Sequence, residues 1–310
     1  MKLSSSLLCR VACLGAAILL STSIAACKRG AANLPTAGDQ NADKFLFDRG
    51  TESLARHRWL EAREYFRKLF DTYPTSGYRQ DAKLGIGDSY LGEGQTAAMI
   101  LAANEFREFL QFFPLNARAD YAQYQLAVTQ MRQMLAPQRD QTATRDAIRE
   151  FDTFVRNYPS SALMPEALKL QREARDRLGD YEYGVGEQYF RLKWYPGALS
   201  RFEALLTADP LYTRRDALYY LMGESYLRMQ RQADASKLFE KLVAEFAVSE
   251  YLEPATKRLS EIALAPAKRP EATPAGATPP LAPATPAPAA TPGTPAAAGT
   301  TATPVTVTQP

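Results

Sequence analysis

Histidine and cysteine are almost missing from this chain, and their scarcity removes whole classes of function. The one histidine, His57, stands between Arg56 and Arg58 with no Cys or second His near it, so no metal-ligand set is legible. It reads as a solvated turn residue, and no metal site is expected. Cys9 and Cys13 lie in a short leader, which leaves Cys27 alone beyond it. No disulfide can then form within the mature chain. Surplus charge is missing too: 37 Lys and Arg face 34 Asp and Glu, and two of the basic residues, Lys2 and Arg10, belong to the leader. That balance excludes the basic stripe by which nucleic acid is usually bound. No Gly-rich phosphate loop is present. Gly85, Gly87, Gly92 and Gly94 fall on a helix and at its end, a pattern of close packing followed by a C-cap. Carboxylates alternate with Lys and Arg over helix faces as solvated surface. No catalytic constellation emerges, so the chain reads as a non-enzyme without a cofactor.

Long hydrophobic runs are also lacking. Val11 to Leu20 is the longest near the N-terminus and is too short to span a bilayer. With Lys2 and Arg10 around it and Ile24-Ala25-Ala26-Cys27 after it, the run has the layout of a secretory leader. The tetrapeptide resembles the lipobox of bacterial lipoproteins. Residues 1–26 are therefore expected to be a signal peptide, Cys27 to carry a covalent lipid, and residues 27–41 to be a lipidated tether. Each buried acyl methylene contributes roughly 0.8 kcal/mol to such an anchor. By resemblance to enterobacterial lipoproteins, Lys28 in place of Asp favours the outer membrane. At the other end, residues 266–310 hold 12 of the 21 prolines and, past Glu271, no charge. Ala, Pro and Thr cannot bury enough surface to offset ordering entropy, and the tail is expected to be disordered.

What the chain has in plenty is a repeat. A small residue, an alanine, a phenylalanine and a proline recur as Gly50-Ala62-Phe66-Pro74, Gly87-Ala102-Phe106-Pro114, Ala127-Ala147-Phe151-Pro159 and Gly186-Ala198-Phe202-Pro210, then as Gly223-Ala235-Phe239-Ala247. The Ala-to-Phe step is always 4 and the Phe-to-Pro step 8. Small residues at the crossing of two antiparallel helices, an aromatic in the next gap and a helix-stopping proline are the marks of a tetratricopeptide (TPR) pair. The fold class expected is all-α, a TPR-type solenoid of five helix pairs with an inserted helix and a C-terminal capping helix. Such stacks are binding scaffolds. The Gly-to-Ala step lengthens from 12 to 15 in repeat two and to 20 in repeat three. The extra residues are expected in the inter-helix turns, near Gly92 to Thr96 and near Ala136 to Thr144. Between Pro159 and Gly186 the spacing grows by 14 residues, enough for an added helix over Ser161 to Leu178 that runs into repeat four, separate or continuous with it. This divides the solenoid into an N-terminal half, 42–160, and a C-terminal half, 161–265, the latter closed by a cap over Tyr251 to Ala263.

A lipidated N-terminus, five such pairs, Tyr73-Pro74-Thr75-Ser76, and Arg177-Leu178-Gly179-Asp180-Tyr181-Glu182-Tyr183 together resemble the BamD family of lipoproteins, over roughly residues 42–264. Those proteins serve the β-barrel assembly machinery of Gram-negative outer membranes. The resemblance implies a lipid-anchored scaffold at the periplasmic face. Its C-terminal half would dock on a POTRA domain of the barrel-forming subunit BamA, beside further machinery subunits. Its N-terminal repeats would receive unfolded outer-membrane proteins, with aromatic and Arg side chains holding apolar residues and a terminal carboxylate. Arg201 falls where the family has a basic docking residue. No acidic side chain lies three or four positions from it, so a local ion pair is not expected. Tyr73 falls where the family has a tyrosine linked to substrate recognition, and packing against the next repeat is an equal reading. Tyr181, Tyr183 and Tyr189 cannot share one helix face. A periplasmic TPR protein working with the Tol–Pal system is the alternative reading of the repeats.

Overall fold

Four of the five repeats fold around a contact between their own glycine and their own phenylalanine, and repeat three has Ala127 in the glycine's place. In the computed structural model, which describes residues 41–264, a Cβ added at Gly50 would lie 2.5 Å from the Phe66 ring. The same addition would lie 2.6 Å from Phe106 at Gly87 and 2.6 Å from Phe239 at Gly223, and would strike Phe202 at Gly186. Only a hydrogen fits at these crossings, so the spacing seen in the sequence is a ring seated on bare backbone. Phe66 is held from both sides, because Gly85 of the next repeat is equally close.

The described residues form eleven helices: α1 (Ala42–Ala55), α2 (Trp59–Thr72), α3 (Arg79–Glu93), α4 (Thr96–Phe112), α5 (Ala119–Met131), α6 (Thr142–Asn157), α7 (Met164–Arg191), α8 (Tyr195–Ala208), α9 (Arg215–Arg228), α10 (Gln232–Glu245) and α11 (Leu252–Leu264). Each packs chiefly on its neighbours in sequence, the rule of a solenoid. The fold is thus a TPR-type stack of five pairs closed by α11. The second helix of every pair buries its Ala and Phe with a leucine or phenylalanine one turn on, as Ala62, Phe66 and Leu69 do in α2. All second helices end two residues before the proline slot. α10 ends there as well, although Ala247 fills that slot. Proline therefore reinforces a stop that packing already sets.

One expectation needs revision. The three extra residues of repeat two do not enlarge its turn, which is only Gly94-Gln95. They lengthen α4, whose first turn, Thr96 to Met99, has no charge and no breaker to oppose helix. Gly92, read as a turn signal, stays helical because it packs under Trp59, where a Cβ would lie 2.7 Å from the ring. Of the two alternatives left open for the inserted helix, the continuous one is found: it and the first helix of pair four are one 28-residue helix, α7. The extra residues of repeat three do form a connection, over 132–141. It is fastened by buried Gln141, whose amide donates to the carbonyls of Ala136 and Arg139 at 2.9 and 3.1 Å.

α7 couples the halves through two polar stripes. Gln171 and Arg175 reach Asp152 of α6 at 2.5 and 2.7 Å. One position round, Arg172 pairs with Asp209, Asp176 accepts the Thr213 hydroxyl at 2.6 Å, and Asp180 accepts the Tyr212 hydroxyl at 2.7 Å. A recurring latch ties pair to pair: Ser76 donates to Asp43, Ser161 to Asp120 and Ser249 to Asp216, each at 2.6 Å. The Ser76 hydroxyl holds the Asp43 carboxyl below its ordinary value.

In four of the five pairs a residue closing the first helix takes a left-handed conformation: Gly94 in repeat two, but His57, Lys193 and Gln230 in repeats one, four and five. Gln230 has φ 61°, a region that disfavours a side chain by about 1 kcal/mol. Gln230→Gly is expected to raise stability by up to about 1 kcal/mol; an unchanged or lower denaturation midpoint would contradict this.

Candidate functional site

Two surfaces stand out as places where a partner could be held. The first is a groove of about 260 Å³ across the first three pairs, lined by Leu54, Trp59, Asp88, Leu91, Gly92, Tyr121, Gln125 and Arg132. Leu54 ends α1, Trp59 begins α2, Asp88 to Gly92 close α3, and Tyr121 and Gln125 lie one turn apart on α5. Asp88 sits in an otherwise uncharged run, Leu84 to Leu91, whose other members are nearly all buried. Its Oδ1 accepts the Tyr121 hydroxyl at 2.9 Å, and that oxygen in turn accepts the Gln125 amide at 2.8 Å. Burial pushes the Asp88 carboxyl up to about 6, against the opposing pull of Tyr121 and Arg118. Burial and the neighbouring Asp88 charge raise the Tyr121 phenol as well.

Because the folded chain holds the Asp88 proton more tightly than the unfolded one, ionising it weakens the fold. Stability from this group is full below about pH 4 and declines as pH rises through about 6, by a total of about 3 kcal/mol. Asp88→Asn keeps an acceptor for Tyr121 and removes the charge. It should be more stable than wild type at pH 7 and lose the decline between pH 5 and 7; urea midpoints at both pH values that shift in parallel with wild type would contradict this.

The second surface joins the end of α7 to α8. From Tyr189 to Phe202 there is no acidic residue. The Arg201 guanidinium lies 5.9 Å from the centre of the Tyr189 ring, and Tyr189 meets Trp194 edge-on at 4.9 Å. Leu192 and Trp194 are 65% and 40% exposed. Among the described residues Arg201 makes no ion pair, as do neither Arg191 nor Lys193. Glu203, two positions on, instead accepts the Tyr226 hydroxyl at 3.1 Å.

Tyr73, at the far end of α2 from Trp59, is half-buried against the first core. It does not line the groove and stands on a different pair from Arg201. Of the α7 tyrosines, Tyr183 is buried while Tyr181 and Tyr189 are half-buried. Cys27, the leader, most of the tether and the Pro-rich tail lie outside the described residues. Among the described residues no helix is long and apolar enough to cross a membrane, and no three His, Cys, Asp or Glu side chains are grouped to hold a metal ion. The residues of the groove escaped the sequence reading because they come from three repeats at no fixed spacing. The lone charge in Leu84 to Leu91 was the available signal.

Residues 39–238 match the family described as YfiO, outer membrane lipoprotein. The outer membrane protein assembly factor BamD of Caulobacter vibrioides is 27% identical over 256 residues, covering 82% of this chain and 83% of that one. The BamD of Haemophilus influenzae is 24% identical over 202 residues, covering 62% and 76%. Among solved structures, the TPR2AB domain of yeast Sti1 in complex with an Hsp90 peptide covers 71% of this chain and 82% of its own, with a TM-score of 0.39 and 9% identity.

Proposed function

The chain belongs to the YfiO family of outer membrane lipoproteins, and on that premise we propose that it is a non-enzymatic scaffold for assembling β-barrel proteins into the outer membrane. The family match over residues 39–238, with relatives named as assembly factors, is the observation that carries this reading. In this scheme an acylated Cys27 holds the solenoid at the periplasmic face. The Tyr189–Trp194–Arg201 surface docks on a POTRA domain of BamA. An exposed aromatic, a leucine and an arginine with no acidic partner form the kind of patch that anchors an interface. The Trp59–Asp88–Tyr121 groove takes up an extended segment of an unfolded barrel protein. Tyr73 supports that groove by fixing the C-terminal end of α2, about 20 Å along the helix from Trp59. Further machinery subunits would join through other faces.

Depletion of the protein in its host tests the reading. Folded, heat-modifiable barrel proteins should fall in the outer membrane while their unfolded forms accumulate in the periplasm. Unchanged barrel levels after full depletion would overturn it.

A further inference from the structure

Resting on the reading of the groove as a substrate site, the geometry points to a Lys or Arg side chain of an extended peptide as the group that the groove selects. Asp88 offers one engaged oxygen and one free one: Oδ1 takes the Tyr121 hydroxyl, and Oδ2 accepts nothing among the described residues. The Arg118 charge acts on Asp88 from a distance, and no Lys or Arg bonds to it among the described residues. Arg118 pairs with Asp81 at 2.9 Å, Arg63 with Glu93 at 3.1 Å, and Arg132 donates to the Leu91 carbonyl at 3.2 Å. A carboxylate walled by Leu54, Trp59 and Leu91 therefore has no directly bonded cation among the described residues. Gln125 spends its side-chain NH2 on Tyr121, and its side-chain Oε1 accepts no bond among the described residues. An ammonium or guanidinium entering here meets two acceptors, Asp88 Oδ2 and Gln125 Oε1. Its methylene stem lies along the apolar wall while its head is bonded. A peptide's terminal carboxylate would meet the Asp88 charge instead, and like charges in a low-dielectric groove repel. The groove thus discriminates by sign as well as by shape, in favour of a cationic residue over the terminal carboxylate read from the sequence.

The test uses the purified full mature chain and three acetylated, amidated peptides of alternating apolar and polar residues, with Lys, norleucine or Glu at the centre. Isothermal titration should give the Lys peptide at least tenfold tighter binding than the norleucine peptide, and the Glu peptide the weakest. Asp88→Asn, which is expected to fold at least as well as wild type, should reduce the Lys preference to about twofold. Equal binding of all three peptides would overturn the inference and leave the groove as a substrate site. Absence of binding by any peptide would overturn the substrate reading along with it.

Discussion

Phe66→Ala is expected to destabilise the first two repeats by about 3–5 kcal/mol, the range for emptying a fully buried phenylalanine site. The ring is 1% exposed and fills the crossing of α1, α2 and α3, where Gly50 and Gly85 approach it from opposite sides. Neither glycine has a side chain that could move into the void, so the cavity would stay largely open. In a stack each pair leans on its neighbours, and the loss should be local before it is global. Hydrogen exchange in α1 to α3 should accelerate well ahead of α9 to α11. A double-mutant cycle sharpens the test. Gly85→Ala alone places a methyl 2.5 Å from the ring and should destabilise by about 1–3 kcal/mol. In the Phe66→Ala background the same methyl enters empty space and should be neutral or stabilising. Additive losses would show that Phe66 and Gly85 are not in contact. The same variant should loosen the groove, since Leu54, Trp59 and Asp88 sit on the three helices that Phe66 joins.

Arg201→Glu is the second large effect, and it should appear in association and leave stability unchanged. Arg201 is half-buried on α8, makes no ion pair among the described residues, and rests against Tyr189, which in turn supports Trp194. Reversing its charge removes little from the fold. At a docking surface the same change turns attraction into repulsion, and changes to a buried interfacial charge typically cost about 2–5 kcal/mol. Recovery of BamA should therefore fall at least thirtyfold while the denaturation midpoint stays within about 0.5 kcal/mol of wild type. Trp194→Ala should weaken recovery too, through lost apolar contact. Undiminished BamA recovery with Arg201→Glu would place the docking surface elsewhere and leave the assembly role intact.

The helix pairs were legible because their determinants are local and periodic: an alanine and a phenylalanine one turn apart and, in repeats one, four and five, a glycine 12 residues before the alanine. The cap at α11 followed from the need to cover the last apolar face. Lengths between those marks were harder to read. Gly92 and Gly94 both resemble turn residues in sequence, yet only Gly94 adopts the left-handed φ, of 75°, while Gly92 is kept helical by the indole it supports. The continuity of α7 depends on partners up to 37 residues away in sequence, such as Asp209 and Thr213, which no local pattern announces. Arg201 was found through a family likeness, and the structure adds its aromatic setting. The groove around Asp88 was not found at all, since α1, α2, α3 and α5 each contribute only one to three residues to it.

The most direct measurement is co-purification of the wild-type protein from detergent-solubilised membranes of its own host, with bound proteins identified by mass spectrometry. Recovery of BamA with this chain, at a constant ratio through a second column, is the expected result. Tol–Pal components recovered without BamA would contradict the assembly role and transfer the scaffold to the envelope-constriction machinery.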